Sequence, residues 1–268
     1  MKEEAELYRG KDTWAHLEKI QRFGYSNATL FPDFLDTCLY SLLSLTDNIR
    51  YPDFLQKFRH NALTGTYEDA YLQLVRKYKE NETREPGTRP IDFMQNAWGS
   101  LLQETLESQQ DILGEIFMAK VSFGEHGQFF TPANVSDMMA RLLYSGESKD
   151  GETVCDPCCG SGRFFISVSK VHTNARFYGV DLSPTCAKMT ALNMWLFNLD
   201  ADIYHGDSLA LRMFHVWKIR KGGFVYESEI TESIPPMPEK VRRTLKIQAE
   251  QQKLFDFDES EKREEVKR

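Results

Sequence analysis

A glycine-rich turn, DPCCGSGRFF (residues 156–165), constrains the fold more than any other feature of this sequence. The segment ETVCD, which leads into the turn, has the short apolar character of a buried strand. The segment GRFFISVSKVH (residues 162–172), which follows it, has the apolar spacing of a helix. A strand, a tight turn and a helix in this order predict the first part of a βαβ unit.

Strands and helices continue to alternate after the turn. ARFYGVDL (residues 175–182) and ADIYHGD (residues 201–207) have the aromatic and β-branched composition of strands. SPTCAKMTALNMWLFN, between them, is predicted to be a helix that opens with Ser-Pro. GGFVYESEI (residues 222–230) is a candidate fourth strand. This alternation predicts an α/β fold with a parallel sheet.

The region before the turn is predicted to be helical. Apolar residues recur there at steps of three and four, and ENETREPGTRP (residues 80–90) has the composition of a polar linker. Thr131 is a candidate cap and Pro132 a candidate first-turn residue for a helix that runs to about Tyr144. We therefore expect a helical domain at 1–120, a cofactor-binding domain at 121–230 and a charged helix or tail at 231–268.

Composition excludes several classes of protein. The chain begins without an apolar signal-peptide core, and its longest apolar stretch is too short and too polar to span a bilayer, so no membrane association is expected. Five cysteines without disulfide-scaffold spacing favour a reduced, cytoplasmic protein. The net charge of −7 argues against a globally basic nucleic-acid binder. A local basic run between Arg212 and Lys221 is either a solvated helix end or a nucleic-acid contact.

The glycine turn has two interpretations, a metal site or a cofactor site. Cys155, Cys158 and Cys159 offer thiolates, but no second pair follows at zinc spacing, so no metal is predicted. Backbone N–H groups and a helix N-terminus beside the turn suit a cofactor instead. Phe165 replaces the third glycine of the dinucleotide fingerprint, which argues against a pyrophosphate-containing cofactor.

Three acids end the three predicted strands. Asp156, Asp181 and Asp207 should therefore converge on the crevice at the carboxyl edge of the sheet. An acid in the position of Asp181 can accept both hydroxyls of a ribose. Each acid, taken singly, is equally consistent with a helix cap.

These motifs, with GQFFTP (residues 127–132) upstream, resemble the adenine-specific DNA methyltransferases, in particular the modification subunit of type I restriction-modification systems. The resemblance covers residues 110–210, starting at DILGEIF (residues 111–117). It implies a Rossmann-like methyltransferase core, S-adenosylmethionine as cofactor, and DNA with a specificity or second catalytic subunit as partners. The resemblance further implies that Phe130 and Thr131 face the methionine end of the cofactor and that Asp156, Gly160 and Gly162 form the floor of the site. By the same resemblance, Asp181 binds the ribose, and Asp207 and Ser208 flank the adenine ring. Pro132, Pro157 and Leu182 are implied as neighbouring residues of the site.

The acceptor motif of that family is not recognisable. The family uses Asn, Asp or Ser, then Pro-Pro and an aromatic, because polar oxygens activate the adenine amino group and the ring stacks on the flipped base. SIPPM (residues 233–237) has Ile234 and Met237 at the polar and aromatic positions. The residues after Asp207 are mostly polar, so a truncated sheet is expected, and the catalytic residues are not identified.

Three explanations remain open. The chain is an adenine-specific DNA methyltransferase with an unusual acceptor loop, with HVWKIRKGGFVYESE (residues 215–229) as one candidate. Alternatively, it is a cofactor-binding subunit of a split enzyme, or an inactive relative that binds DNA or protein. In each case something must cover the free edge of the first strand: GGFVYES, the N-terminal helices or a second subunit.

A short segment in the charged tail resembles another kind of site. QQKLF (residues 251–255) places Gln251, Leu254 and Phe255 as in the peptides that dock on DNA polymerase sliding clamps. The alternative is that Leu254 and Phe255 fold back onto the domain.

Overall fold

The computed structural model describes residues 9–60, 62–122, 130–144, 151–230 and 237–251. The chain is of mixed α/β architecture, with helices first and a five-stranded sheet after them. The helices are α1 Lys11–Gln21, α2 Asn27–Asn48, α3 Phe54–Arg59, α4 Thr66–Lys77, α5 Glu80–Thr83, α6 Pro90–Ser108, α7 Ile112–Ile116, α8 Ala133–Leu143, α9 Arg163–Val171, α10 Pro184–Leu196 and α11 over residues 239–251; the π-helical turn Phe117–Val121 continues α7. The strands are β1 Thr153–Asp156, β2 Arg176–Asp181, β3 Ala201–Asp207, β4 Arg212–Arg220 and β5 Phe224–Glu229.

The sheet has the order β1-β2-β3-β4-β5 and two kinds of pairing. β1, β2 and β3 are parallel, as the alternation of strands and helices predicts. β4 and β5 form an antiparallel hairpin that is added next to β3. Within the described residues, β1 is one edge of the sheet and β5 is the other.

One face of the sheet is covered by α9, α10 and helices from the N-terminal region. Buried side chains of this layer, such as Phe31 and Leu101, belong to the same apolar cluster as Phe177, Ile203 and Val225 of the sheet. α2 reaches as far as β5, where the hydroxyl of Thr46 accepts a hydrogen bond from the Val225 amide at 3.1 Å. The helices before β1 and the sheet thus share a continuous core, while the proposed division at residues 120 and 230 stays a prediction.

The opposite face of the sheet is covered by α11. Met237, Val241 and Leu245 pack there against sheet residues Tyr178, Val180, Tyr204, Met213 and Val216. The C-terminal helix that the sequence predicts is therefore present, and it completes a third layer. Gln251 is its last described residue and is exposed, whereas Leu254 and Phe255 lie outside the described residues.

Three expectations are corrected by the structure. The basic run from Arg212 to Lys221 is strand β4 and its turn rather than a helix end, and Arg220 is paired with Asp202 at 2.7 Å. GGFVYESEI forms β5 at the far edge, so it does not cover β1. α8 begins at Ala133, with Pro132 rather than Thr131 in the N-cap position.

The helices of the described residues are at most 22 residues long, which is the length of α2. None of them combines the length and the apolar character that a membrane-spanning helix needs.

Candidate functional site

The glycine turn connects β1 to α9 in a conformation that requires glycine. Gly160 and Gly162 have φ angles of 56° and 79°, in the left-handed region that residues with a side chain rarely adopt. The Cys159 amide donates to the carbonyl of Val180 at 3.0 Å, and the Gly162 amide donates to the carbonyl of Cys159 at 2.8 Å. The hydrogen bond from Cys159 to Val180 therefore holds the turn against β2, at the carboxyl edge of the sheet.

Asp181 joins the end of β2 to this turn. Its carboxylate accepts hydrogen bonds from the Gly160 amide at 2.8 Å and from the Ser183 amide, also at 2.8 Å. Asp156 accepts from the Cys158 amide at 3.0 Å. A carboxylate has about four acceptor positions, so both acids retain capacity for a ligand. The structure thus brings Asp156, Gly160 and Asp181 together.

Burial makes this corner of the site electrostatically unusual. The pKa of Asp156 is raised above its usual value by burial and, to a smaller degree, by the nearby charge of Asp181. Burial also raises the pKa of Asp181, although its two backbone hydrogen bonds oppose the shift. Two carboxylates whose ionisation is disfavoured create a place where a cationic ligand is stabilised.

Asp207 and Ser208 lie farther along the same edge. The Asp207 carboxylate accepts from the amides of Leu209 and Ala210 at 2.9 and 2.8 Å, so it closes the turn after β3. The Ser208 hydroxyl hydrogen-bonds with the Cys158 thiol and so connects this turn to the glycine turn.

The three acids form a staircase rather than a level row. In the parallel register Asp156 is opposite Gly179 and Asp181 is opposite His205, so each acid lies two residues beyond the previous one. Two residues along a strand correspond to about 6.6 Å. A ligand that contacts all three acids must therefore be extended along the sheet edge.

Phe130 and its neighbours approach the turn from the N-terminal side. The Phe130 ring stacks on Phe117 with ring centroids 5.4 Å apart, and it is so close to Gly160 that an added Cβ would lie 3.1 Å from it. The carbonyl of Thr131 accepts a hydrogen bond from Arg163 at 3.1 Å. Pro157 is half-buried in the turn, and Leu182 is 66% exposed at its rim. The predicted site residues of both segments therefore surround one turn.

A buried polar network behind the turn was missed by the sequence reasoning. Asp111 caps α7 by accepting from the Gly114 amide at 2.8 Å, and it also accepts from Ser161 at 2.5 Å and Asn193 at 2.8 Å. Arg163 donates to Asp111 at 3.1 Å and to Glu115 at 2.8 Å. The network joins DILGEIF to the glycine turn and to α10.

A signal for this network is present in the sequence. An Asp directly before an apolar helical segment is typical of an N-cap. A Cβ on Gly114 would lie 2.1 Å from an Asp111 oxygen, so this glycine gives the carboxylate its space. What the sequence does not reveal is that Asp111 also binds residues fifty and eighty-two positions away.

The cysteines around the turn do not assemble with other ligands. All five cysteines are free thiols; Cys159 is buried below the turn and Cys158 is exposed. In the part of the chain that the structure describes, no group of three or more His, Cys, Asp or Glu side chains could hold a metal ion.

Comparison with known proteins finds a family that part of this chain resembles. Residues 108–225 match the family described as N-6 DNA methylase. The match begins just before Asp111 and includes the glycine turn and all three strand-end acids. Residues 108–225 of this chain are therefore similar to the N-6 DNA methylases. The matching segment contains every residue of the staircase and of the network behind it.

Two curated relatives are also similar to this chain. The segment is similar to the HindI type I restriction enzyme methylase subunit of Haemophilus influenzae, with 34% identity over 116 residues, which are 37% of this chain and 25% of the relative. The MjaVIII type I methylase subunit of Methanocaldococcus jannaschii is 29% identical over 141 residues, which are 48% of this chain and 23% of that protein. The chain thus spans about a quarter of the length of these relatives.

A type I restriction-modification methyltransferase subunit from Streptococcus thermophilus superimposes with a TM-score of 0.38 at 12% identity, over 71% of this chain and 56% of that one.

Proposed function

We propose that this chain binds S-adenosylmethionine on a Rossmann-like methyltransferase core and transfers its methyl group to the exocyclic amino group of adenine in DNA. The observation that carries the proposal is the coincidence of two independent results. The family match at residues 108–225 encloses the same residues that the fold gathers around the glycine turn. DNA, a specificity subunit and a restriction-modification role are proposed on the same basis.

The residues around the turn fit this cofactor in charge and in shape. S-adenosylmethionine supplies a methyl group on a positively charged sulfonium centre and also carries an ammonium group. Asp156 and Asp181, whose pKa values are raised by burial, would be stabilised in their ionised forms by such a ligand. The left-handed turn at Gly160 and Gly162 lets the backbone pass close to Phe130 and Thr190 and so keeps the turn tight at the end of β1.

Each residue has a distinct proposed role. Asp181 would accept the ribose hydroxyls with the lone pairs that its backbone hydrogen bonds leave free. Phe130 and Thr131, held by Phe117 and Arg163, would face the methionine end of the cofactor. Asp207 and Ser208, the outermost step of the staircase, would flank the adenine ring, beside exposed Leu182.

The acceptor side of the reaction lies outside this set. Met237, the residue at the aromatic position of SIPPM, is buried under the sheet with Val241 and Leu245. It therefore is not placed to stack on a flipped base. Ser233 and Ile234 lie outside the described residues. A catalytic acceptor must be contributed by another part of this chain or by a partner.

A second candidate function is a cofactor-binding subunit without its own acceptor site. It is favoured by the free side of β1, which within the described residues pairs only with β2. α8, which precedes β1, also exposes a stripe of large apolar side chains: Val135, Met138, Met139, Leu142 and Leu143. An exposed apolar patch and an open strand edge are each typical of a protein interface.

Transfer of labelled methyl groups distinguishes the two candidates. The full chain is incubated with S-adenosylmethionine carrying a labelled methyl and with unmethylated DNA, and the nucleosides are then separated. The first candidate predicts N6-methyladenine as the product. Asp156→Ala should reduce transfer at least tenfold, because it removes an acid from the buried corner of the site. Asp69→Ala on α4, which changes an exposed acid far from the turn, is the matched control.

The remaining outcomes separate the alternatives. Cofactor binding without transfer would support the second candidate and direct attention to the partner. Methylcytosine as the product would contradict the adenine assignment. Failure of the chain to bind S-adenosylmethionine would contradict both candidates.

A further inference from the structure

A second cavity of about 240 Å³ lies at the same edge of the sheet, beyond β3. Its floor is the carboxyl end of β3 and the facing part of the β4–β5 hairpin, and its walls are α2 and the N-terminal turn of α10. The residues that line it are Asp36, Leu39, Tyr40, Pro184, Lys188, His205, His215, Trp217 and Glu227. Asp156, Asp181 and Asp207 are not among them, so the cavity is distinct from the glycine-turn site.

The interior of the cavity combines aromatic rings with a fixed carboxylate. Glu227 accepts from the Trp217 indole at 2.8 Å and is 3.1 Å from the His215 ring nitrogen. The rings of His215 and Trp217 are packed with centroids 4.3 Å apart. The Glu227 side chain is only 16% exposed, so its orientation is set by its neighbours rather than by solvent. This arrangement offers the part-exposed His215 ring for stacking and a hydrogen-bond acceptor in a defined direction.

The charge of the cavity selects against anions. Lys188 is the one lysine or arginine among the lining residues, and its ammonium is 2.5 Å from a carboxylate oxygen of Asp36. His205 is hydrogen-bonded to the backbone of Leu182, and burial lowers its pKa, so its ring favours the neutral form. Because Lys188 is already paired with Asp36, the carboxylate of Glu227 gives the lining residues more negative than positive charge. A phosphate would therefore be repelled, whereas an N–H donor would be attracted.

The size of the cavity restricts the ligand further. Sites for whole drug-sized ligands have volumes of roughly 300–1,000 Å³. A space of about 240 Å³ suits one ring system rather than a complete nucleotide cofactor. Planar rings with exocyclic amino groups satisfy both the stacking surfaces and the acceptor-only carboxylate.

We propose that this cavity binds a nucleobase that carries an exocyclic amino group, such as cytosine or adenine. The base would stack on the His215 ring, next to Trp217, and donate its amino hydrogens to Glu227. The site is built by α2, α10 and the β4–β5 hairpin. α2 and Glu227 lie outside the segment that matches the N-6 DNA methylase family. The inference therefore goes beyond the proposed cofactor site and does not depend on it.

Titration with nucleosides in ligand-observed NMR tests the proposal. Deoxycytidine is the principal probe because, unlike adenosine, it is not a part of S-adenosylmethionine. The full chain should bind deoxycytidine and deoxyadenosine, while thymidine, which lacks an exocyclic amino group, should bind at least tenfold more weakly. Equal binding of thymidine, or no binding of deoxycytidine, would overturn the proposal.

A matched pair of variants on β5 localises the binding. Glu227→Gln should weaken deoxycytidine binding about tenfold, because a charged acceptor is lost. Glu229→Gln changes an exposed acid two residues away on the same strand and should leave affinity within about twofold. If both variants bind equally well, the cavity is not the site.

A direct signal from the unmodified chain makes the test independent of variant folding. The Trp217 indole N–H donates to Glu227, so its NMR resonance should shift during the titration with deoxycytidine. The Trp195 indole, which donates to the Gly223 carbonyl at 3.0 Å outside the cavity, is the internal reference. A shift at Trp195 alone would contradict the assignment.

Two further experiments ask whether the base comes from a nucleic-acid strand and whether the cavity binds it independently of the glycine turn. An oligothymidylate with one cytosine should bind in a Glu227-dependent manner if the base comes from a nucleic-acid strand; binding of free nucleosides only would indicate a metabolite. Asp181→Ala should weaken cofactor binding at least tenfold and leave deoxycytidine binding unchanged. Loss of both would show that the nucleoside binds at the glycine turn, and the proposal would be wrong.

Discussion

The two halves of the sheet organise their polar groups in different ways. In the parallel half, β1 to β3, backbone amides of the following turns hold Asp156, Asp181 and Asp207. In the antiparallel hairpin, β4 and β5, side chains hold one another, with Trp217 and His215 both bonded to Glu227. Backbone-held groups are fixed by the sequence of their own turn, whereas side-chain-held groups depend on strand register. The first kind of site is therefore visible as a motif and the second is not.

The largest expected effect comes from removing Asp111, the shared acceptor of the buried polar network next to the parallel half. Asp111→Ala leaves Arg163, Ser161 and Asn193 without their shared acceptor, and the side chain of Asp111 is only 1% exposed. We expect a loss of about 3–5 kcal/mol in the free energy of unfolding, measured by urea denaturation.

Glu115→Ala is the matched control for Asp111. It removes the other acid that binds Arg163, but its side chain is 35% exposed. We expect it to cost less than about 1 kcal/mol. Similar losses for the two variants would show that Asp111 is not the centre of the network.

A pair of glycine substitutions compares the turns of the two halves. Gly162→Ala puts a Cβ at 2.9 Å from Thr190 at a φ of +79°, whereas Gly222→Ala in the hairpin turn meets nothing closer than 3.6 Å at a φ of +90°. Both variants carry the strain of the left-handed region, about 1–2 kcal/mol. Gly162→Ala should cost at least about 1 kcal/mol more in thermal or urea unfolding, because a close contact is added. An equal cost would mean that packing around the glycine turn is not tight.

The smallest expected effect concerns pH. Burial raises the pKa of Asp156 above 3.8, so the folded state favours the protonated form. The stability that this group contributes below its ordinary pKa is lost as pH rises through the raised value. As pH rises from about 4, the free energy of unfolding should therefore decrease less for Asp156→Asn than for the unmodified chain.

Asp92 supplies a control of opposite sign. Hydrogen bonds from Arg89 lower its pKa to about 2, so its contribution is present above its ordinary pKa and is lost as pH falls. Asp92→Asn should lose stability at neutral pH and little near pH 2. Parallel pH profiles for the Asp156 and Asp92 variants would contradict the electrostatic account of the site.

The fold could be predicted where each element has its own local signal. The N-cap Ser183 with Pro184 identified α10, and alternating strands and helices identified the parallel sheet. β4 was missed because its residues are buried on both faces without strict alternation, and because it carries basic residues. An irregularity in the pairing of β3 and β4 between His205 and Gly206 also shifts the register, which no local pattern reveals.

The same distinction applies to the candidate sites. The sequence predicts that Asp156, Asp181 and Asp207 lie at the ends of three parallel strands, and the structure places them there. Their roles in a cofactor site stay a prediction. The staircase arrangement did not follow, because it depends on register. The cavity beyond β3 could not be predicted, because Asp36 and Glu227 are brought together only by the packing of α2 on the hairpin.

Equilibrium binding of S-adenosylmethionine tests the central claim most directly. Calorimetric titration should show one molecule bound per chain, with affinity reduced at least tenfold by Asp181→Ala and unchanged by Asp69→Ala on the distant surface of α4. That result would place the cofactor on the acids of the parallel half. Equal binding by the Asp181→Ala variant, or no binding by the unmodified chain, would contradict the account.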